Sequence, residues 1–171
     1  MTLWIIYKEG IGFSKLIAGM LQDRLEDYID VSVGHAQKID PTFLVEEKLD
    51  YLIIGDNISE AIPSLEIQNW LLRYNEISKK SNLIIKSVSG FYVTLPNISV
   101  ESFWINFLQN NVNAEKVFPP ILHLKFNMTD LALENGALKL VKDYTQEFIE
   151  FLINDKKKNG DKKYDRKKNT V

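Results

Sequence analysis

Gly10, Gly12 and Ser14 occupy every second position of a short stretch between an apolar run at residues 3–7 and a segment with helical periodicity. A strand that passes through a glycine loop into a helix can bind an anion there. The unpaired backbone N–H groups of the first helical turn point into the loop and attract negative charge. Residues 8–14 are therefore a candidate phosphate site.

Two other residues of this stretch work against an anion. Glu9 and Ile11 stand where a phosphate site favours hydroxyl side chains. Two like unit charges about 4 Å apart, at an effective dielectric constant near 20, repel each other by roughly 4 kcal/mol. One side-chain hydrogen bond stabilises a bound phosphate by only ~1 kcal/mol. Glu9 can instead turn toward solvent, and Lys8 can compensate its charge. Two alternatives stay open: a loop that holds a phosphate, and a fold that has lost its ligand.

The composition excludes several classes of site. The 171 residues include no cysteine, which rules out disulfides, iron–sulfur clusters, thiolate metal sites and thiol nucleophiles. His35 and His123 are the only histidines, and the order of the predicted elements places them too far apart to share a metal ion, so we expect a structural role for each. No pair of residues suggests hydrolysis, and we assign neither a catalytic residue nor a metal ligand.

Charge divides the chain into an acidic body and a basic tail. Residues 155–171 carry 8 Lys/Arg against 3 Asp, whereas residues 1–154 carry 13 Lys/Arg against 20 Asp/Glu. The tail has almost no aliphatic side chain, so it buries too little surface to offset its ordering entropy. We expect one domain at residues 1–154 and a disordered tail at residues 155–171. The acidic body argues against nucleic acid as the main ligand.

The apolar runs are short. None approaches the ~18 residues of a membrane span, and no basic stretch precedes the first of them. We therefore expect a cytoplasmic protein without a transmembrane segment.

Five apolar runs alternate with helical patterns. The runs predict strands at residues 3–7, 30–33, 51–55, 82–88 and 121–126. Strands that are apolar on both faces and separated by helices indicate a mostly parallel sheet covered on both sides, which is a three-layer α/β domain. Ligands of such sheets bind beyond the carboxyl ends of the strands. The loops after Tyr7, Gly55 and Val88 are therefore the ones to examine.

Two segments carry a resemblance to a known family. "YKEGIGFSKLIAGML", residues 7–21, and "DYLIIGDNISEAIPSLEIQNWLL", residues 50–72, resemble the first two ligand-binding segments of flavodoxins and of flavodoxin-domain oxidoreductases. The subgroup most resembled is the flavodoxin domain of the menaquinone-dependent protoporphyrinogen dehydrogenase type. The resemblance extends in order and spacing from residue 3 to about residue 153. It implies a flavodoxin-like fold with a five-stranded parallel sheet in the order 2-1-3-4-5.

The resemblance also implies FMN as the cofactor and positions that would bind it. The first loop implies phosphate contacts from Gly12, Phe13 and Ser14, and the second implies ring contacts from Asn57 and Ser59. The third loop, predicted at residues 87–97, implies further ring contacts from Ser89, Gly90, Phe91 and Tyr92. The alternative for Phe91 and Tyr92 is that they extend the fourth strand and fill the core.

Two functions of different classes follow from the resemblance. The first is FMN-dependent electron transfer or oxidoreductase activity, with a redox partner protein or a small-molecule electron acceptor. The second is a degenerate flavodoxin-fold protein without flavin, acting as an interaction module through its acidic face or its basic tail, because a fold does not fix a function. We favour the first function, because the resemblance covers the whole body of the chain.

Overall fold

A mostly parallel sheet lies at the centre of the protein. The computed structural model describes residues 1–8, 10, 12–58, 62–98, 100–118 and 121–168, with side chains as far as residue 157. Its strands follow the order β2-β1-β3-β4-β5-β6, in which only the β5–β6 pair is antiparallel. The strands are β1 (Thr2–Tyr7), β2 (Asp30–His35), β3 (Tyr51–Ile58), β4 (Ser87–Thr94), β5 (Leu122–Asn127) and β6 (Ala132–Leu133).

Helices connect the parallel strands and cover both faces of the sheet. They are α1 (Phe13–Leu25), α2 (Pro41–Glu47), α3 (Leu65–Lys80), α4 (Glu101–Asn111) and α5 (Ala137–Lys168). The predicted three-layer α/β architecture and the order 2-1-3-4-5 of the first five strands are confirmed. The two-residue strand β6 is an addition to the five strands that were predicted.

Local sequence signals explain where several helices begin. Asp40 caps α2 by accepting a hydrogen bond of 2.9 Å from the N–H of Thr42, and Pro41 occupies the first helical position. Ser64 caps α3. Gly12 is the N-cap residue of α1, and Ser14 lies inside the first turn.

The fourth strand lies further along the chain than predicted. Residues 82–86 precede the strand, because Asn82 has a left-handed backbone with φ 52° and the N–H of Leu83 donates to the carbonyl of Ser78 at the end of α3. Ile85 forms only an isolated bridge with Ala114. The strand then runs from residue 87 to residue 94 and is buried throughout. The third loop therefore begins at residue 95.

The core consists of two apolar layers, one on each face of the sheet. Alternating side chains of β3 divide between the layers, with Ile53 facing α1 and α5 and Ile54 facing α2, α3 and α4. The central strands β1 and β3 thus need apolar residues on both sides, which is why residues 3–7 and 51–54 are continuous apolar runs in the sequence.

Helix α5 joins the body to the basic tail. Its bounds, Ala137–Lys168, include most of residues 155–171. The first tail residues contact the body: the Tyr51 hydroxyl donates to Asp155 Oδ2 at 2.6 Å, and Lys156 Nζ donates to the Tyr28 carbonyl at 2.6 Å. The boundary between residues 154 and 155 and the disorder of the tail stay predictions. Among the described residues, no helix combines the length and the apolar character that crossing a membrane demands.

Candidate functional site

The carboxyl ends of three neighbouring strands meet where the first loop enters α1. Strands β1, β3 and β4 are adjacent and parallel, so they end at the same edge of the sheet, at Tyr7, Ile58 and Thr94. We call this the carboxyl edge. The described residues that follow these strands lie along it: 8, 10 and 12 after β1, 62–64 before α3, and 95–98 and 100 before α4.

The start of α1 has the features of an anion site. Gly12 adopts a left-handed conformation, φ 92° and ψ −17°, and no side chain of the described residues caps the helix there. A Cβ atom on Gly12 would meet no described atom within 4 Å, which leaves space beside it as far as the described part of the chain is concerned. The first N–H groups of a helix have no partner inside the helix and carry the positive end of its dipole. An anion beside Gly12 would pair with them.

The Ser14 side chain adds an unused hydroxyl to the same end of α1. Ser14 is 1% exposed, and its Oγ has no hydrogen-bond partner among the described residues. A buried polar group left unpaired costs about 1–3 kcal/mol. In native proteins, such a group normally forms a hydrogen bond with water, an ion or a ligand. Ser14 is therefore a candidate ligand contact.

Asn57 approaches the first loop from the end of β3. A Cβ atom on Gly10 would lie 2.6 Å from Asn57 Nδ2, so the glycine is what allows the amide to approach this closely. Both polar atoms of the Asn57 side chain are buried and have no partner among the described residues. Asn57 and the first loop are thus brought together, as the sequence suggests. Ser59, the other predicted contact of the second loop, lies outside the described residues.

A buried carboxylate stands next to Asn57. Asp56 is 0% exposed, and its Oδ2 accepts a hydrogen bond of 2.7 Å from the N–H of Ser64. Its Oδ1 has no partner among the described residues. Burial raises the pKa of Asp56 to about 6, although the Ser64 N–H and the Lys8 ammonium oppose the shift. The carboxyl edge therefore contains an acid that titrates close to neutral pH.

Solved structures of flavodoxins superpose on most of the chain. Oxidised flavodoxin 2 from Bacillus cereus matches with a TM-score of 0.67 and 14% identity, over 88% of this chain and 99% of that chain. A flavodoxin from the domain Archaea matches with a TM-score of 0.68 and 16% identity, over 89% of this chain and 99% of that chain. The chain has the flavodoxin-like fold.

A longer protein contains the flavodoxin-like fold as one part. The flavodiiron protein from Giardia intestinalis matches with a TM-score of 0.69 and 12% identity, over 92% of this chain but 37% of that chain. This chain thus corresponds to a little over a third of that protein. No protein-family model and no curated protein matches the sequence. The likeness therefore establishes the fold.

The residues predicted for the third loop of this flavodoxin-like domain lie instead inside β4. Ser89, Gly90, Phe91 and Tyr92 are all buried in that strand. The Ser89 hydroxyl lies 2.8 Å from the Tyr144 hydroxyl and donates to the Phe118 carbonyl at 3.3 Å. The loop prediction for these residues is wrong, because the strand begins later than the apolar run does. Their role as cofactor contacts stays a prediction, which this placement does not favour.

Aromatic rings fill the space beside two glycines near the carboxyl edge. A Cβ atom on Gly55 would collide with the Phe91 ring, and one on Gly90 would collide with the Trp104 indole. These glycines therefore serve the packing of the core, on opposite faces of the sheet. The positions of Phe91 and Tyr92 inside β4, where both are buried, agree with the interpretation that they extend the fourth strand and fill the core.

Phe13 and the two histidines pack against neighbouring elements. The Phe13 ring lies 5.6 Å from the Phe126 ring of β5, measured between centroids. His123 Nε2 lies 2.7 Å from Thr94 Oγ1, and His35 Nε2 lies 3.5 Å from Glu66 Oε1. The structure thus joins the two histidines to different partners.

Sequence reasoning missed the burial of Asp56. The residue follows the predicted strand 51–55 and was assigned to the second loop, but β3 continues through Ile58. Period-two alternation places Asp56 on the same face as Leu52 and Ile54, which both belong to the core. Extending that alternation by one step would have predicted a buried acid.

Proposed function

We propose that the chain binds FMN non-covalently and transfers electrons, with the FMN phosphate at the start of α1. One observation carries the proposal: the Ser14 hydroxyl is buried in the first turn of α1, two positions after Gly12, and the described residues supply neither a partner for this hydroxyl nor a side-chain cap for the helix. The flavodoxin-like fold and the resemblance of residues 7–21 to the family's first loop support it. The test is whether FMN binds, and whether it binds through this end of the helix.

The phosphate fits the groups at the start of α1. Backbone N–H groups of the first turn and the Ser14 hydroxyl can donate hydrogen bonds to phosphate oxygens, and the helix dipole favours negative charge there. The Asn57 amide, buried beside Gly10, offers two further donors. Hydrogen bonds to a charged acceptor contribute about 1.5–3 kcal/mol each. A bound phosphate would thus give hydrogen-bond partners to the Ser14 hydroxyl and the Asn57 amide, which have none among the described residues.

The ring of FMN would lie farther along the carboxyl edge, between the second and third loops. FMN, when bound, supplies the electron-transfer chemistry, while the protein positions the ring and shields it from water. The described residues of these loops are 62–64 of the second and 95–98 and 100 of the third, and Asn57 at the end of β3 stays a predicted ring contact. Ser59 stays a predicted contact.

The proposal extends to the partner and the setting of the protein. Electrons would pass to a redox partner protein or to a small-molecule acceptor in the cytoplasm. Oxidoreductase activity of the menaquinone-dependent protoporphyrinogen dehydrogenase type is the finer form of the proposal. It rests on the resemblance of residues 7–21 and 50–72 alone.

One observation favours the second candidate function, an interaction module without flavin. Aromatic side chains of the chain itself fill the spaces beside Gly55 and Gly90. Glu9 and Ile11, which oppose a phosphate by their chemistry, lie outside the described residues. In this alternative the acidic body or the basic tail would bind a partner.

Titration of the purified full chain with FMN separates the two functions. Binding quenches flavin fluorescence when aromatic side chains contact the ring, and the bound protein is yellow. The proposed function predicts saturable, one-to-one binding. Absence of binding up to millimolar FMN would contradict it and would favour the interaction module.

A further inference from the structure

Titratable side chains from neighbouring strands form a row on one face of the sheet at the carboxyl edge. Asp56 of β3 pairs in register with Tyr92 of β4, and Tyr92 pairs with His123 of β5. Lys8 follows the Tyr7–Gly55 pair of β1 and β3 directly, and its ammonium lowers the pKa of Asp56. The row therefore places a buried acid between a cation and a phenol.

Asp56 is only half satisfied by its surroundings. Oδ2 accepts the hydrogen bond from the N–H of Ser64, whereas Oδ1 is buried and has no partner among the described residues. A carboxylate in this state is poorly compensated, because ionised oxygens need hydrogen bonds or nearby cations when water is excluded. Protonation would relieve the charge and leave the Ser64 bond in place.

The charged groups around Asp56 leave little compensation for its ionised form. Lys8 is the cation that faces it from the end of β1. Tyr92, facing it from β4, stays neutral because burial raises the pKa of its hydroxyl to about 12. Helix α3 presents the Ser64 N–H and carries Glu66 in its first turn. Two more acids of the adjoining loops, Glu9 and Glu60, lie outside the described residues.

Asp56 adjoins the first residue of the first loop. The Lys8 N–H donates to the Gly55 carbonyl at 3.0 Å, and the Lys8 ammonium acts on the Asp56 carboxyl. Asn57, the next residue in β3, points to the opposite face of the sheet and lies against Gly10 of the same loop. A phosphate held by this loop would attract the Lys8 ammonium that partly compensates Asp56, and would add negative charge at the carboxyl edge. The interior screens such charges far less than water does.

We propose that the Asp56 carboxyl binds its proton more tightly when FMN is bound at the start of α1, so that FMN binding is accompanied by proton uptake at this residue. The inference rests on the proposed function and names a residue that sets the pH dependence of the site. Linkage is reciprocal, so a ligand that favours protonated Asp56 binds more tightly when Asp56 is already protonated. Acidification thus strengthens FMN binding through this residue.

Isothermal titration calorimetry of the full chain with FMN tests the linkage. At pH about 7, heats measured in two buffers of different ionisation enthalpy give the protons taken up per FMN. The wild type is expected to take up about 0.4 more protons per FMN than Asp56→Asn at this pH, which is the uptake that a pKa increase of about one unit from about 6 produces. Protonation of FMN itself contributes equally to both proteins and cancels. Asp27→Asn, which changes an exposed carboxylate beyond the far end of α1, is the matched control and is expected to behave as the wild type.

The dissociation constant gives a second measure of the linkage. The ratio of the wild-type Kd to the Asp56→Asn Kd is expected to rise from near one at pH 5 to about tenfold at pH 8, which corresponds to a pKa increase of about one unit on binding. Carbon-13 NMR of the Asp56 carboxyl in the wild type, with and without FMN, reports the same pKa increase without any substitution.

The outcomes separate the linkage from the proposed function. FMN binding with equal proton uptake in the two proteins, or with an unchanged Asp56 titration, would overturn the linkage and leave the proposed function intact. If FMN fails to bind at every pH, both are overturned. If Asp56→Asn does not fold, the NMR titration of the wild type decides between support and refutation.

Discussion

The Asp56 carboxylate accepts a hydrogen bond of 2.7 Å from the backbone N–H of Ser64, and so joins the end of β3 to the start of α3. The bond spans the second loop, part of which would frame a bound ring. It also holds an ionisable group where water does not reach, because Asp56 is buried completely. Folding therefore favours the protonated form of this residue.

The stability of the protein is expected to depend on pH through Asp56. Its pKa rises from an ordinary value of 3.8 to about 6 on folding. Between these values the folded protein binds more protons than the unfolded chain, so the contribution of Asp56 to stability falls as pH rises. The shift corresponds to about 3 kcal/mol. In urea unfolding, the free energy of unfolding of Asp56→Asn relative to the wild type should rise by roughly 2.4 kcal/mol between pH 4 and pH 7, because part of the difference is already present at pH 4.

The exposed carboxylate of Asp27 provides the comparison for this measurement. Asp27→Asn is expected to change stability by the same small amount at both pH values. A difference between Asp56→Asn and the wild type that is equal at pH 4 and pH 7 would show that Asp56 is not a buried acid of raised pKa.

Replacing the Ser14 hydroxyl is expected to change stability and FMN affinity in opposite directions. Ser14→Ala removes an unpaired buried group from the ligand-free protein, which should raise the free energy of unfolding by about 1 kcal/mol. The same change removes a phosphate contact and should weaken FMN binding several-fold. Urea unfolding and FMN fluorescence titration measure the two effects.

Ser78→Ala is the matched control for the Ser14 variant. Ser78 is equally buried in α3, but its hydroxyl donates to the Asn75 carbonyl at 3.1 Å. Its loss should lower stability and leave FMN affinity unchanged. A Ser14→Ala protein that is less stable, with unaltered FMN affinity, would remove Ser14 from the site.

Charge at position 9 is expected to limit the affinity for FMN. Glu9→Thr replaces a carboxylate by a hydroxyl in the first loop, and a like-charge repulsion of up to roughly 4 kcal/mol at contact would be lost. FMN affinity should rise at least tenfold in a fluorescence titration. Glu46→Thr, on the exposed face of α2, controls for net charge. An unchanged or reduced affinity in Glu9→Thr would contradict this role for the carboxylate.

Gly90 is expected to be required for packing. A Cβ atom there would collide with the Trp104 indole and lie 3.0 Å from the Ile54 carbonyl oxygen. Gly90→Ala should therefore lower the free energy of unfolding by about 1–3 kcal/mol. Gly19→Ala, in α1 with nothing within 4 Å of the added atom, should raise it by up to about 1 kcal/mol. Equal effects of the two substitutions in urea unfolding would refute the packing role.

Much of the fold could be predicted, because burial on both faces leaves a clear pattern. The central strands are continuous apolar runs separated by helical periodicity, and the family resemblance supplied their order. Strand β6 is only two residues long, too short to show any period. The boundaries of β4 could not be read from residues 82–88, since Leu83 and Ile85 are apolar but precede the strand.

The candidate site was predicted in part for the same reason. The sequence placed Gly12 and Ser14 at the start of the first helix, because a glycine loop that enters a helix has a recognisable sequence, and their role as ligand contacts stays a prediction. The shift of β4 carried Phe91 and Tyr92 out of the predicted loop and into the core. Asp56 was assigned to a loop because acids are rarely buried, although the alternation of β3 extended by one residue places it on the core face of Leu52 and Ile54.

The most direct test of the account is the response of the α1 amide groups to FMN. In nitrogen-15 NMR of the full chain, the backbone N–H signals of Gly12, Phe13 and Ser14 should shift on addition of FMN. Inorganic phosphate should shift the same signals at higher concentration. The account predicts both responses, at the start of α1 and not at its end near Leu25. Signals at Gly12 to Ser14 that stay unchanged while FMN binds elsewhere, or does not bind, would contradict it.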